Sequence, residues 1–197
     1  MRSPPDRFVG AVSLASARVR RGTMSTDKVS INRAPVLTLW ASVVSEQLGF
    51  DRDEALTLGK AVAGLNAQSK GRRLGIFKPG EHKGAKAREK KRGEEFWVEV
   101  CGRPVPAVNT TDGVRAVVKD KRIDPDAVED YLSRKFGDDL EDVRVVMESL
   151  AASFGREELA DRAYALYEEF RPAIPAGKRG WGAKGDLDLK LIRSLGK

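Results

Sequence analysis

Nucleophilic catalysis of the Ser–His or Cys–His kind needs a base within hydrogen-bond reach of its nucleophile. This sequence offers one histidine, His82, and one cysteine, Cys101. His82 sits among lysines and glycines and reads as a solvated side chain. Cys101 ends an alternating apolar pattern and reads as a small structural thiol. A lone cysteine excludes an internal disulfide framework and any cysteine-rich zinc site, and the histidine count leaves no His/Cys metal centre. The acid pairs Asp138-Asp139, Glu141-Asp142 and Glu157-Glu158 fall near expected helix starts, where carboxylates complement the helix dipole. Between Gly64 and Lys70 the second glycine of a phosphate-binding P-loop is missing, and no dinucleotide fingerprint is present. The chain is read as non-enzymatic, with no cofactor and no metal.

The residues that could do chemistry are instead cationic. From Lys70 to Arg92 there are ten Lys or Arg residues against Glu81 and Glu89, a net charge of +8. Lys70, Arg72, Arg73, Lys83, Lys86, Arg88, Lys90, Lys91 and Arg92 form a strip suited to neutralising phosphates. Such contacts give affinity without reading sequence. Lys178, Arg179 and Trp181, with Lys184 beyond them, repeat the theme beside an aromatic ring, a combination that tracks single strands by stacking. From Asp124 to Phe170 fourteen acids face five bases, a net of −9, so charge is segregated along a chain whose total is +7. Attraction between the basic spacer and the acidic segment is the competing explanation for the basic run.

Stepping from these residues to what must position them, Pro35 to Phe77 reads as two apolar helices. Asn32 and Pro35 suit a helix start, and Val36, Trp40, Val43, Val44 and Leu48 recur at helical spacing. Gly49 suits a C-terminal cap. Asp51 with Glu54 forms a capping box for a second helix that buries Ala55, Leu58, Val62 and Leu65. Gly59 and Ala63 leave a small-residue strip, which a closely packed neighbouring helix would explain. With Ser45 four residues before Gly49, and Val44, Leu48, Phe50, Ala55 and Leu58 in locking positions, the pair resembles the general helix-turn-helix pattern over about twenty residues. Asp53 and Glu54 at the start of the second helix, and its apolar middle, oppose base readout.

Lys78 to Gly93 reads as an exposed basic loop. Phe96, Val98 and Val100 alternate with Trp97, Glu99 and Cys101 as in a strand, and Gly102-Arg103 suits a tight turn into a second strand at about Val105–Val108. Pro104 and Pro106 lack ladder donors, which places that strand at a sheet edge. After the Asp112-Gly113 turn, Val114 to Val118 reads as a third strand in preference to the start of a helix, and residues 114–119 fit either. Three helices follow: one from Asp124-Pro125 with Val128, Tyr131, Leu132 and Phe136; one with Leu140, Val143, Met147, Leu150 and Phe154; one with Leu159, Ala163, Leu166 and Phe170, ended by Pro172. Their stripes are expected to bury against the chain's own β segment, with a homodimer seam as the alternative. Leu187 to Ile192 belongs to a short terminal element docked on the body.

The expected architecture is α+β and predominantly α-helical: an N-terminal helical hairpin, a small antiparallel β segment and a C-terminal three-helix portion. Residues 1–30 are expected as a disordered N-terminal extension, 31–77 as the hairpin, 78–93 as the basic linker, 94–171 as the β segment and acidic helices, and 172–197 as the basic Gly/Pro-rich tail with a short terminal element. Residues 1–23 read as translated sequence upstream of a start at Met24, in preference to a transit-type segment. No run of about 18 apolar residues is present to span a membrane, and with a lone cysteine a cytoplasmic setting is expected. The functional expectation is a nucleic-acid-binding protein contacting DNA or RNA mainly through phosphates, in a regulatory role. The alternative is an interaction module pairing with itself or another protein through its helical stripes.

Overall fold

The computed structural model describes residues 27–73, 95–177 and 182–196, without the side chains of residues 70–73. The architecture is α+β and predominantly helical, as the sequence implies. Its elements are β1 (Lys28–Ile31), α1 (Arg33–Leu48), α2 (Arg52–Arg73), β2 (Glu95–Val100), β3 (Arg103–Thr110), β4 (Gly113–Val118), β5 (Lys121–Arg122), α3 (Pro125–Phe136), α4 (Leu140–Ala152), α5 (Arg156–Phe170), β6 (Gly185–Asp188) and α6 (Leu189–Leu195).

Helix α1 is the axis of the molecule. Every residue from Pro35 to Ser45 is buried, because the helix is apolar around its whole circumference and is covered on all sides. Its buried hydroxyls are satisfied within the helix: Thr38, Ser42 and Ser45 donate to the carbonyls of Ala34, Thr38 and Ala41 at 2.9, 2.9 and 2.8 Å. Trp40 donates its indole N–H to the Ala163 carbonyl at 2.7 Å and meets Phe170 edge-on. Gly49, at φ 109°, ends the helix in a left-handed cap in which Gly49 N–H reaches Glu46 O and Phe50 N–H reaches Ser45 O, a Schellman arrangement.

Helix α2 returns along α1 as the hairpin expected. Glu54 receives the Asp51 amide at 3.0 Å, the predicted capping half-box. Its other carboxylate oxygen accepts the Val114 amide at 2.7 Å, and Thr57 Oγ1 accepts the Ala116 amide at 3.1 Å. The helix thereby accepts two β4 amides that lie beyond the reach of the two-residue β5.

The sheet runs β2-β3-β4-β5, antiparallel throughout. Two expectations are corrected here. The β2–β3 turn is made by Cys101 and Gly102, with φ of 51° and 63°, the left-handed pair of a type I′ hairpin, rather than by Gly102-Arg103. Strand β3 is also interior rather than at an edge. Its prolines are tolerated because pairing with β4 begins only at Ala107, so Pro104 and Pro106 face β2 alone.

The acidic helices pack on the helical hairpin and not chiefly on the sheet, which corrects the expected partner. Helices α4 and α5 lie against α1, and α3 lies against α2. Their stripes, Val128, Leu132 and Phe136, Val143, Met147 and Leu150, and Leu159, Ala163, Leu166 and Phe170, are buried within this one chain. Arg144 of α4 grips Glu46 of α1 through both carboxylate oxygens at 2.8 and 2.6 Å. A second unexpected feature closes the fold. Residues 28–30, expected in the N-terminal extension, belong to β1, which pairs with β6 from Lys28↔Asp188 to Ile31↔Gly185. The terminal element docks as foreseen, with Leu187, Leu189 and Ile192 buried. Among the described residues no helix is long and apolar enough to cross a membrane.

Candidate nucleic-acid interface

The last turns of α2 carry Lys70, Arg72 and Arg73 at the point where the basic segment begins. Lys83, Lys86, Arg88, Lys90, Lys91 and Arg92, with His82, lie outside the described residues, as do Lys178, Arg179 and Trp181.

The packing of α2 bears on the helix-turn-helix resemblance. The two helices and their glycine turn are present, but residues 55–59 and 61–63 are buried between α1, the sheet and α3. At its start, Arg52 pairs with Glu129 at 2.6 Å and Asp53 lies 3.7 Å from Arg115. Outside those buried residues, Lys60, Gly64, Leu65 and residues 67–69 of the same helix are partly exposed.

Lys60 is the polar break in the buried run of α2. Its ammonium stands 3.3 Å from the centroid of the Tyr131 ring, and Lys135, one helical turn beyond Tyr131 on α3, places its ammonium 6.0 Å from the same centroid. Burial first, and then the charge of Lys135, hold the Lys60 ammonium below the usual lysine range. Burial raises the Tyr131 hydroxyl. Among the described residues no carboxylate pairs with either lysine. Tyr131 was expected in the apolar stripe of α3, yet it is half-exposed and serves as the platform beneath these cations.

On the other flank of α2, Asn66 accepts the Tyr164 hydroxyl at 3.0 Å, and the Arg103 guanidinium lies 5.2 Å from the Tyr164 ring. Trp97, on the strand that follows the basic segment, is 66% exposed. Neither Lys60–Tyr131 nor Arg103–Tyr164 was visible in the sequence, since each joins residues more than 60 positions apart. Trp97 left a signal: it is the outward member of the β2 alternation.

The residues considered for catalysis have plain structural settings. Cys101 is buried, and burial pushes its thiol up to about 12. An unfolded thiol ionises near pH 8.5, so above that pH deprotonation favours the unfolded chain alone. Relative to Cys101→Ser, the wild-type protein is expected to lose about 2 kcal/mol of stability between about pH 8 and about pH 10. Urea midpoints of the two proteins at both pH values check this; parallel behaviour would refute it. The acid pairs are largely exposed, and Glu158 is held by Arg162 at 2.8 Å. Among the described residues no group of three His, Cys, Asp or Glu side chains is placed to hold a metal ion.

The described body is thus a predominantly helical α+β unit from which a strongly basic segment departs at the end of α2. Comparison with protein-family models, with curated proteins and with solved structures finds no match to this chain.

Proposed function

We propose that this protein is a non-enzymatic nucleic-acid-binding protein of the cytoplasm, acting in regulation and gripping DNA or RNA mainly by its phosphates. The segment from Lys70 to Arg92 supplies most of the contacts, and Lys178, Arg179 and Trp181 supply a second, stacking-capable patch. The observation that carries the reading is where the +8 segment starts. It departs from a long, firmly packed helix that carries Lys60, beside which α3 places Lys135 over the same Tyr131 ring. The enclosure of α2 favours backbone contact over base readout. The alternative of pairing through helical stripes draws little support, because those stripes are buried within the chain.

Fluorescence anisotropy of labelled random duplex and single-stranded DNA tests this at two salt concentrations. The wild-type chain should bind with an affinity that falls steeply with salt. Changing Lys83, Lys86, Arg88, Lys90, Lys91 and Arg92 to Ser should flatten the slope of log affinity against log salt by as much as about 5 for duplex, at about 0.9 per lost phosphate contact. Absence of binding at low salt would end the proposal.

A further inference from the structure

We propose that Lys60 and Lys135, converging on the Tyr131 ring between α2 and α3, form a seat for a phosphate group on the folded body. The inference deepens the reading above and rests on it only for the source of that phosphate.

Three observations support a built seat rather than two solvated lysines. A lysine on a helix surface ordinarily extends its stem along apolar neighbours and leaves its ammonium in water. Lys60 instead lays its ammonium on an aromatic face at 3.3 Å, which fixes its position without cancelling its charge. A second ammonium, from another helix, approaches the same ring at 6.0 Å, and two cations brought together repel unless an anion joins them. The obvious internal anion is engaged elsewhere: Glu129, on the same helix as Tyr131, is held by Arg52 at 2.6 Å. The lowered affinity of Lys60 for its proton, caused by burial and by Lys135, reports the same unrelieved charge. An anion bound between the lysines would reverse it.

The surroundings admit a ligand. One turn beyond Lys60 is Gly64, where an added Cβ would meet nothing within 4 Å, so the surface beside the cations is open to close approach. By the helical rise of 1.5 Å per residue, Lys60 lies about 15 Å along the axis from Lys70. That spans roughly four nucleotide steps of a duplex strand at about 3.4 Å each. A strand held by the basic segment can therefore set a further phosphate on Lys60 and Lys135.

The test uses the full chain, Lys60→Gln, Lys135→Gln and the double variant, with two probes: labelled DNA across a salt series, and inorganic phosphate followed by the Tyr131 ring resonances. The expected result is DNA binding whose salt slope drops by about 0.9 in each single variant and about twice that in the double variant on duplex. Phosphate should also move the Tyr131 resonances in the wild type and not in the double variant. DNA binding with unchanged slopes in both single variants would overturn the seat and leave the basic-segment reading intact. A phosphate response without DNA binding would uphold the seat and overturn the nucleic-acid reading. Absence of both would overturn both. Lys135 is exposed, so Lys135→Gln keeps the fold and decides the matter even if Lys60→Gln lowers the melting temperature.

Discussion

Gly59→Ala should destabilise the protein by about 1–2 kcal/mol, while Gly64→Ala, five residues along the same helix, should stabilise it by about 1 kcal/mol. A Cβ at Gly59 would overlap Ser42 Oγ and stand 2.5 Å from the Thr38 carbonyl oxygen and 2.8 Å from the Ser42 amide nitrogen. Two of those three atoms are backbone of α1, which is buried on every side and cannot retreat. The helices must separate, opening gaps elsewhere in a close-packed core. Against this, alanine returns the helix propensity that glycine lacks, about 1 kcal/mol. At Gly64 only the propensity gain operates, since an added Cβ there meets nothing. Thermal unfolding checks the pair. In a chain of this size each kcal/mol moves the midpoint by about 2–4 °C, so the two variants should lie on opposite sides of the wild type. Equal shifts would mean that the approach of α1 and α2 is not as close as described.

Arg144→Ala is the second large effect, with an expected loss of about 3 kcal/mol. Arg144 joins α4 to α1 through both oxygens of Glu46, and its Nε reaches Glu148 at 2.7 Å. Burial works against its charge, and the hydrogen bonds and charges of Glu46 and Glu148 outweigh that penalty, so its proton is held more tightly than usual. Removing the guanidinium leaves Glu46 facing a protein wall with 23% of its side chain exposed. Water can reach it only partly, which places the cost at the lower end for a broken buried pair. Arg144→Lys should recover only part of the loss, because Nη2 holds Glu46 while Nε holds Glu148, and a single ammonium cannot reproduce both placements. The double variant Glu46→Leu, Arg144→Met should recover most of it, since two apolar side chains leave no orphaned charge. Urea denaturation of the four proteins separates these outcomes. A double variant as unstable as Arg144→Ala would show that packing, and not charge pairing, dominates the contact.

The helical hairpin was legible because its signals are local. Gly49 ends α1, Glu54 caps α2, and Gly59 marks the helix approach, all within the reach of one or two turns. The strands at β2 and β4 and the start of α3 at Asp124-Pro125 were legible for the same reason. The place of β3 was not. Pro104 and Pro106 correctly forbid pairing on one side of their half of the strand, but only the offset of β4 shows that the other half is interior. The β1–β6 ribbon joins two four-residue strands from opposite ends of the chain, too short to announce themselves by alternation. The candidate interface divides in the same way. Its cationic run is plain in the residues from Lys70 to Arg92, whereas Lys60 and Lys135 become neighbours only through the Tyr131 ring that α3 carries onto α2.

By itself the sequence determined the main helices and the β2 and β3 strands, where charge accumulates and that no catalytic constellation is spelled out, because these depend on residue type and short-range spacing. Tertiary structure decided which apolar faces meet. Acidic stripes expected against the β segment, with a second copy as the alternative, close instead on α1, since a helix apolar all round must be covered on every side. It also decided which part of α2 is enclosed: residues 55–59 and 61–63 are buried, while Lys60 between them is only half-buried.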